Sequence, residues 1–246
     1  MRKLKALGTI GSLSVLVTGM LFGTAQASTA ATCTSGTSVP TNSYPGTVVV
    51  ATNFESGSLS PLIRQVAGTG TADVTSPLAK TGTCSAKLHV TDDAGSLANL
   101  STPTLPSGTK TVHADGWFNI TKAGVAGNNV PYFRVFSGST RVADVYRYNS
   151  NGQLWLRVTA PNGTFVYTKL ISGSISLNAW HRVAMRVTSN GTQSTIKVWF
   201  DGALKYSSSA VSMAGSSLRK VQLGAEHNRQ MGDCYIDDVV IKRSYS

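Results

Sequence analysis

The segment YFRVFSGSTRVADVYRYNSNGQLWLRVTAPNGTFVYTKL, residues 132–170, forms the centre of a run of short strand-like segments between Val130 and Tyr206. These segments are rich in Val, Tyr, Phe, Trp and Thr. Turn dipeptides separate many of them, namely Asn151-Gly152, Asn162-Gly163, Asn190-Gly191 and Asp201-Gly202. Asn-Gly and Asp-Gly accept the positive φ that tight hairpin turns require. The run therefore predicts an antiparallel β-meander.

The first of these turns predicts which side chains share a face. A two-residue turn at Asn151-Gly152 would pair Tyr148 with Trp155, Tyr146 with Arg157, and Val145 with Val158. Because side chains alternate between the two faces of a sheet, one face is predicted to be core and carries Ala143, Val145, Leu154, Leu156 and Val158. The other face carries Asp144, Tyr146, Tyr148, Trp155 and Arg157.

The second turn extends both faces onto a third strand. Pro at the first turn position and Gly where a left-handed residue falls favour a three-residue loop at Pro161-Asn162-Gly163. That loop length would place Leu170 beside Leu154 and Val166 beside Val158 on the core face. On the other face it would place Tyr167 beside Arg157 and Lys169 beside Trp155. A two-residue turn would instead put Lys169 in the core, so we reject it.

The predicted meander therefore has one aliphatic face and one face of aromatic and basic side chains. Aromatic rings stack on the apolar faces of sugars, and Arg and Lys pair with carboxylate or sulfate. We interpret the second face as a ligand-binding surface formed by Tyr146, Tyr148, Trp155, Arg157, Tyr167 and Lys169. The alternative is a face covered by loops, or a solvated sheet surface with aromatic cross-strand pairs.

The N-terminus predicts export. Residues 1–27 have the form of a secretory signal peptide, with a basic start, an apolar run from Ala6 to Phe22 and the cleavage pattern Ala25-Gln26-Ala27. The apolar run is short for a membrane span, and no later segment could cross a bilayer. We therefore expect an extracellular protein that does not insert into the membrane after cleavage.

Composition predicts one all-β domain behind a tail. Residues 28–46 are rich in Ser, Thr and Pro and are interpreted as a linker or disordered tail, and residues 47–246 as the domain. Across the chain 22 Lys and Arg residues oppose 11 Asp and Glu residues. This excess favours an anionic partner such as an acidic polysaccharide. Scattered cations without a basic run or motif argue against nucleic acid, and we expect a monomer.

The three cysteines, Cys33, Cys84 and Cys234, leave one thiol over if a disulfide forms. Three pairings are possible, and the sequence does not choose among them. The flexible composition around Cys33 favours Cys84 with Cys234. One argument opposes that pairing. Cys84 and Cys234 would each stand at the start of a strand, and if these two strands pair directly and antiparallel, the two cysteines lie at opposite ends of the pair.

Several short motifs resemble a known family. They are Phe54-Glu55-Ser56-Gly57, Trp180-His181-Arg182-Val183, Phe200-Asp201-Gly202, Val221-Gln222-Leu223-Gly224 and Tyr235-Ile236-Asp237-Asp238-Val239. In this order they resemble concanavalin A-like (LamG-like) jelly rolls, over roughly Thr47 to Arg243. The resemblance implies a β-sandwich of two curved antiparallel sheets, and the aromatic and basic face would line the concave sheet. The family includes lectins, hydrolases and lyases, so it does not fix the activity.

Catalytic patterns are sparse. Glycoside hydrolysis needs two carboxylates about 5 to 10 Å apart, yet the chain has no E-x-D-x-E motif and only two glutamates, Glu55 and Glu226. A polysaccharide lyase acting on a uronic-acid polymer by β-elimination could use Tyr146 and His227 as base or acid and Arg134 to neutralise the carboxylate. Ser/His/Asp catalysis lacks a G-x-S-x-G elbow.

A structural calcium ion is a further possibility. If the first and last strands pair, Glu55 could meet Asp237 or Asp238, and carboxylates with backbone carbonyls suit Ca²⁺. The alternative is that the two aspartates are caps or ion-pair partners. The sequence thus favours a non-catalytic, lectin-like module for an anionic polysaccharide, with a lyase as the alternative.

Overall fold

The computed structural model describes residues 32–34 and 37–246, so the predicted signal peptide lies outside the described residues. The described chain is almost entirely β-structure, with one turn of 3-10 helix at Gly191–Gln193. Its strands are β1 (Thr47–Thr52), β2 (Ile63–Ala67), β3 (Thr71–Thr75), β4 (Ser85–His89), β5 (Leu97–Ser101), β6 (Thr111–Ala123), β7 (Asn129–Ser137), β8 (Thr140–Tyr148), β9 (Leu154–Thr159), β10 (Phe165–Ile171), β11 (Trp180–Thr188), β12 (Ser194–Phe200), β13 (Ala203–Val211), β14 (Lys220–Ala225) and β15 (Met231–Ser244). No helix in this part of the chain is long and apolar enough to cross a membrane.

The strands form two antiparallel sheets. Sheet A has the order β13-β12-β11-β6-β15-β4-β3, with β1 also paired to β15, and sheet B has the order β10-β9-β8-β7-β14-β5-β2. The predicted all-β sandwich is confirmed. The expected pairing of the first and last strands is also confirmed, because Thr52 lies opposite Val239.

The core lies between the sheets and follows the predicted alternation. Ala143, Val145, Leu154 and Leu156 are at most 1% exposed and belong to one cluster with apolar side chains of sheet A. The face assignment for β8 and β9 is therefore confirmed. Burial of such side chains stabilises the fold by about 1.5 to 3 kcal/mol each.

The predicted register of the β8–β9 hairpin is wrong by two residues. Tyr146, not Tyr148, lies opposite Trp155, and Asp144 lies opposite Arg157. The loop is longer than two residues because the Gly152 amide donates to the Tyr148 carbonyl at 2.8 Å. A shift of two residues leaves every side chain on its predicted face, since the period of a strand is two.

The β9–β10 register is confirmed over most of its length. Val166 lies opposite Val158, Tyr167 opposite Arg157 and Lys169 opposite Trp155. A bulge after Lys169 pairs Leu154 with Ile171 rather than with Leu170. Val166 is 52% exposed although it was assigned to the core face, because β10 is the edge strand of sheet B.

The disulfide joins Cys33 to Cys84 and leaves Cys234 as a buried free thiol. The favoured pairing of Cys84 with Cys234 is wrong. Cys234 lies opposite Leu88 in the antiparallel β4–β15 pair, four positions from Cys84 along the chain. The objection from strand direction therefore decides against that pairing.

The N-terminal segment is tied to the domain rather than being a free linker. Besides the disulfide, the Lys242 ammonium donates to the carbonyls of Asn42 and Tyr44 at 2.7 and 2.8 Å. The Tyr44 ring stacks on His113, with centroids 4.9 Å apart, on the face of sheet A turned away from the core. This part of residues 37–46 therefore contacts sheet A, whereas the sequence predicted a linker or disordered tail.

His113 beneath this segment gives a pH-dependent prediction. Burial, with Arg186 and Lys242 nearby, lowers the pKa of His113 from its ordinary value near 6.5 to about 4. The unfolded chain therefore binds the proton more tightly, and stability is lost as pH falls through this window. We expect His113→Phe, which preserves stacking with Tyr44, to remove about 1 to 2 kcal/mol of acid destabilisation. Thermal melts of both proteins at about pH 7 and about pH 4.5 measure it, and parallel shifts in the two proteins would contradict it.

Candidate functional site

The candidate site lies on the face of sheet B turned away from the core. Three adjacent strands, β8, β9 and β10, contribute alternate side chains to it. One cross-strand row is formed by Tyr146, Trp155 and Lys169. The neighbouring row is formed by Asp144, Arg157 and Tyr167.

These rows form one wall of a cleft of about 560 Å³. Five of the six predicted binding residues line it together with two residues of the segment before and within β7, the whole lining being Gly127, Asn129, Tyr146, Tyr148, Trp155, Arg157 and Tyr167. Lys169 does not line the cleft but lies opposite Trp155 in the strand pairing and is exposed. The structure thus brings the predicted residues together, and their role in binding stays a prediction.

Arg157 is held by a carboxylate from the neighbouring strand. Its Nε and Nη2 donate to the two oxygens of Asp144, each at 2.8 Å, and Asp144 is fully buried. Burial alone would lower the pKa of Arg157, but the hydrogen bond and charge of Asp144 outweigh it and raise the pKa. The guanidinium therefore stays charged, and its bidentate donors are already used by the protein.

Tyr146 lies beneath this guanidinium, which is 5.5 Å from the ring centroid. Burial raises the pKa of Tyr146 to about 12, although the positive charge of Arg157 opposes the rise. The phenol is therefore protonated at neutral pH. Tyr146 offers a ring face and a hydroxyl rather than a phenolate base.

Trp155 contributes its ring rather than its polar atom. The indole Nε1 is buried and has no acceptor among the residues that the structure describes. Because this nitrogen is inaccessible, a ligand in the cleft meets the aromatic ring. Ring-face contact is the mode in which indoles pack on apolar surfaces.

Arg134 is not open to a substrate, which corrects its proposed role as the carboxylate partner of a lyase. The side chain is completely buried and donates to Gln222 Oε1 at 3.1 Å, to the Gly224 carbonyl at 2.6 Å and to Gln230 Oε1 at 2.9 Å. Glu226 lies 3.6 Å from its Nε. Burial lowers the pKa of Arg134 to about 10, so the guanidinium remains charged at neutral pH.

His227 also lies apart from the cleft. It is exposed in the loop between β14 and β15, and its Nδ1 donates to the Asn228 carbonyl at 2.7 Å. The cleft lining includes Tyr146 but neither His227 nor Arg134. The three residues proposed for β-elimination are therefore not assembled around this cleft.

Comparison with known proteins fixes the family. Residues 92–244, more than half of the chain, match the Laminin_G_3 family model, described as the concanavalin A-like lectin/glucanases superfamily. The chain belongs to this family. The resemblance stated from the short motifs is thereby confirmed.

Solved structures share this concanavalin A-like fold at low sequence identity. The endo-β-1,4-glucuronan lyase of Trichoderma reesei is 15% identical, with a TM-score of 0.62 over 77% of this chain and 94% of the lyase. The cellulose induced protein Cip1 is 16% identical, with a TM-score of 0.59 over 79% and 96% of the two chains. Domain 4 of AbnA, a GH43 extracellular arabinanase from Geobacillus stearothermophilus solved with arabinotriose, is 14% identical, with a TM-score of 0.56 over 81% and 93%. No curated protein matches the chain in sequence.

The two proposed calcium ligands of this concanavalin A-like domain are already surrounded by donors. Glu55 accepts the backbone N–H groups of Thr34, Thr83 and Cys84 at 2.7 to 2.8 Å. Burial alone would raise the pKa of Glu55, but these donors outweigh it and lower the pKa. N–H groups that point at both oxygens create a positive potential, which does not fit a cation.

Asp237 has similar surroundings. It accepts the amides of Lys80 and Thr81 at 2.8 and 3.1 Å and the amide of Asp238 at 2.7 Å. Burial raises the pKa of Asp237 to about 7 against the effect of these donors. The segment between Lys80 and Cys84 therefore joins both carboxylates, and the alternative of capping aspartates agrees with the structure better than calcium does.

A charged network beneath the cleft was not predicted from the sequence. Asp144 links to Arg157 and, at 3.5 Å, to Arg141, which in turn lies 3.4 Å from Glu226. One feature of the sequence could have indicated it, namely residues of opposite charge on the same face of neighbouring strands. Arg134, Asp144 and Arg157 form such a set, because the alternation of side chains along β7, β8 and β9 places all three on one face.

Proposed function

We propose that this protein binds a carbohydrate polymer, without catalysis, in the cleft on sheet B. The observation that carries the proposal is that Tyr146, Tyr148, Trp155 and Tyr167 line one cleft. Sugar rings present apolar C–H faces, and aromatic side chains bury such faces while adjacent polar groups fix orientation.

The structural neighbours support a carbohydrate ligand. One is named as a lyase of glucuronan, and another was solved with arabinotriose bound. Likeness at this identity establishes the fold alone, so the ligand class rests on the aromatic lining of the cleft.

We propose further that the polymer is anionic. The chain carries a formal net charge of +11, which becomes +8 without Arg2, Lys3 and Lys5 of the predicted signal peptide. The exposed Lys169 lies beside Trp155. Arg157 is less available to an anionic polymer than its place on this face predicts, because its Nε and Nη2 already donate to Asp144. Attraction through overall charge is screened over about 8 Å at physiological salt, so binding should weaken as salt is raised.

Binding is favoured over β-elimination for a specific chemical reason. A tyrosine base requires an accessible phenolate near neutral pH. The pKa of Tyr146 is instead raised to about 12, and Arg134 is fully buried. Tyr146 is therefore not prepared to abstract a proton, and Arg134 is not accessible to neutralise a uronic carboxylate.

Size-exclusion chromatography of the protein with neutral and acidic polysaccharides tests the proposal. We expect an acidic polymer to carry the protein to its own elution position at unchanged length, with less co-elution in high salt. A shortened polymer with new ultraviolet absorbance from a C=C bond would replace binding by lyase activity. Absence of co-elution across the panel would overturn the proposal.

A further inference from the structure

Three side chains outside the cleft lining form a chain of hydrogen bonds that polysaccharide binding does not use. Ser176 Oγ lies 2.9 Å from His181 Nε2, and His181 Nδ1 lies 2.8 Å from Asp201 Oδ2. Ser176 precedes β11, His181 lies in β11, and Asp201 lies in the β12–β13 turn. Serine, imidazole and carboxylate are in the order and at the separations of a nucleophile, a general base and the group that orients the base.

The proton positions follow from the acceptors. Asp201 can only accept when ionised, so the neutral ring of His181 carries its proton on Nδ1 and donates it to Oδ2. Nε2 is then an acceptor, and the hydrogen bond to it must come from the Ser176 hydroxyl. This tautomer is the one in which imidazole can remove a proton from serine.

Each member is held in place by a separate contact. The second oxygen of Asp201 accepts the Arg182 amide at 2.8 Å. The His181 ring stacks on Phe200, with centroids 5.0 Å apart. These contacts restrict both the carboxylate and the ring, as a positioned base requires.

The loop that carries Ser176 is fixed on both sides of the residue. The Ile175 amide donates to the Gly152 carbonyl at 2.8 Å, and the Asn178 amide donates to the Ile120 carbonyl at 3.0 Å. Ser176 itself is exposed, whereas the His181 side chain is 16% exposed. The hydroxyl is therefore accessible to solvent while its base is largely covered.

We propose that Ser176, His181 and Asp201 form a site that hydrolyses esters of small acyl groups. Ser176 Oγ attacks the ester carbonyl as His181 Nε2 takes the hydroxyl proton, and that proton then passes to the departing alcohol oxygen, which leaves an acyl-serine. Water, deprotonated by His181, attacks this acyl group; the acyl–Oγ bond breaks, the proton on His181 Nε2 passes to Ser176 Oγ, and the carboxylic acid leaves. No other co-reactant is needed.

We assign the stabilisation of the developing oxyanion to two backbone amides next to the Ser176 hydroxyl. The N–H groups of Ser176 and Leu177 donate to no acceptor within the described part of the chain. Ser176 is exposed and does not belong to the lining of the cleft on sheet B, which favours small acyl groups over long acyl chains. Because Asp201 is 45% exposed, solvent screens its charge and hydrolysis should be slow.

Covalent labelling tests the proposal independently of polysaccharide binding. The protein is incubated with a fluorophosphonate, and the modified residue is located by mass spectrometry; release of p-nitrophenol from p-nitrophenyl acetate gives the rate. We expect one label, at Ser176, and at least a tenfold loss of hydrolysis in Ser176→Ala and in His181→Gln. Ser174→Ala, in the same exposed loop, is the matched control and should retain both label and rate.

The outcomes separate this site from the cleft and from folding. Melting temperatures show whether each variant is folded, and Ser176→Ala should still co-elute with polysaccharide. An unlabelled Ser176 in the folded protein, or equal hydrolysis by wild type and Ser176→Ala, would overturn the proposal. Either result would leave Ser176 as a partner that fixes the His181 ring.

Discussion

Trp155→Ala is expected to weaken polysaccharide binding about 30- to 100-fold while the domain remains folded. Truncation of an aromatic anchor at the centre of a binding surface costs about 2 to 3 kcal/mol. Trp155 lies in β9, between Tyr146 on β8 and Lys169 on β10, so it occupies the middle of the cleft wall. Its polar atom is inaccessible, and the loss is therefore a loss of ring contact.

Affinity electrophoresis in gels containing the polymer identified by co-elution measures this effect. Trp117→Ala is the matched control, because Trp117 lies on the outer face of sheet A beneath Lys80, whose ammonium is 4.3 Å from the ring centroid. The control should migrate with wild type, and Trp155→Ala should migrate freely. Equal retardation of Trp155→Ala and wild type would place the polymer elsewhere on the molecule.

The aromatic face could be predicted from the sequence because it depends on parity alone. Any register error of an even number of residues leaves Tyr146 and Trp155 on the same face. The predicted faces are therefore correct although the assumed two-residue turn at Asn151-Gly152 is wrong. The predicted cross-strand partners are wrong, because the length of the loop depends on the hydrogen bond between Gly152 and Tyr148 rather than on the Asn-Gly dipeptide.

Contacts between segments distant in sequence could not be predicted in this way. The Cys33–Cys84 disulfide depends on where the N-terminal segment lies on sheet A. The partners of Arg134 come from β14 and from the loop after it, and no periodicity relates these positions. No pattern in the sequence places Ser176 and Asp201 on either side of the His181 ring.

Arg134→Ala is expected to lower the free energy of unfolding by about 3 to 5 kcal/mol, the largest effect on stability that we predict. The wild-type guanidinium is fully buried and satisfies the Gly224 carbonyl and the side-chain oxygens of Gln222 and Gln230. Removal of Arg134 takes the guanidinium donor from Gln222 Oε1 and from the Gly224 carbonyl, whereas Gln230 Oε1 still accepts the Glu226 amide at 2.7 Å. Each buried group left unpaired costs about 1 to 3 kcal/mol. Urea unfolding measures the change, and the melting temperature should fall by about 10 °C.

Arg64→Ala is the matched control for removal of an arginine. Arg64 pairs with Asp73 at 3.5 Å, but the two side chains are 44% and 67% exposed, and water replaces a lost partner there. Surface pairs of this kind contribute about 0 to 1 kcal/mol. Equal unfolding midpoints for Arg134→Ala and Arg64→Ala would contradict the buried network.

Arg134→Met separates the loss of volume from the loss of donors. Methionine fills much of the same space, so a cavity effect would be largely restored in this variant. Gln222 Oε1 and the Gly224 carbonyl lose their Arg134 donor with either substitution. We therefore expect Arg134→Met to stay within about 1.5 kcal/mol of Arg134→Ala. Recovery of wild-type stability would show that Arg134 acts by packing, and that the ionic network beneath the cleft does not hold β7 against β14.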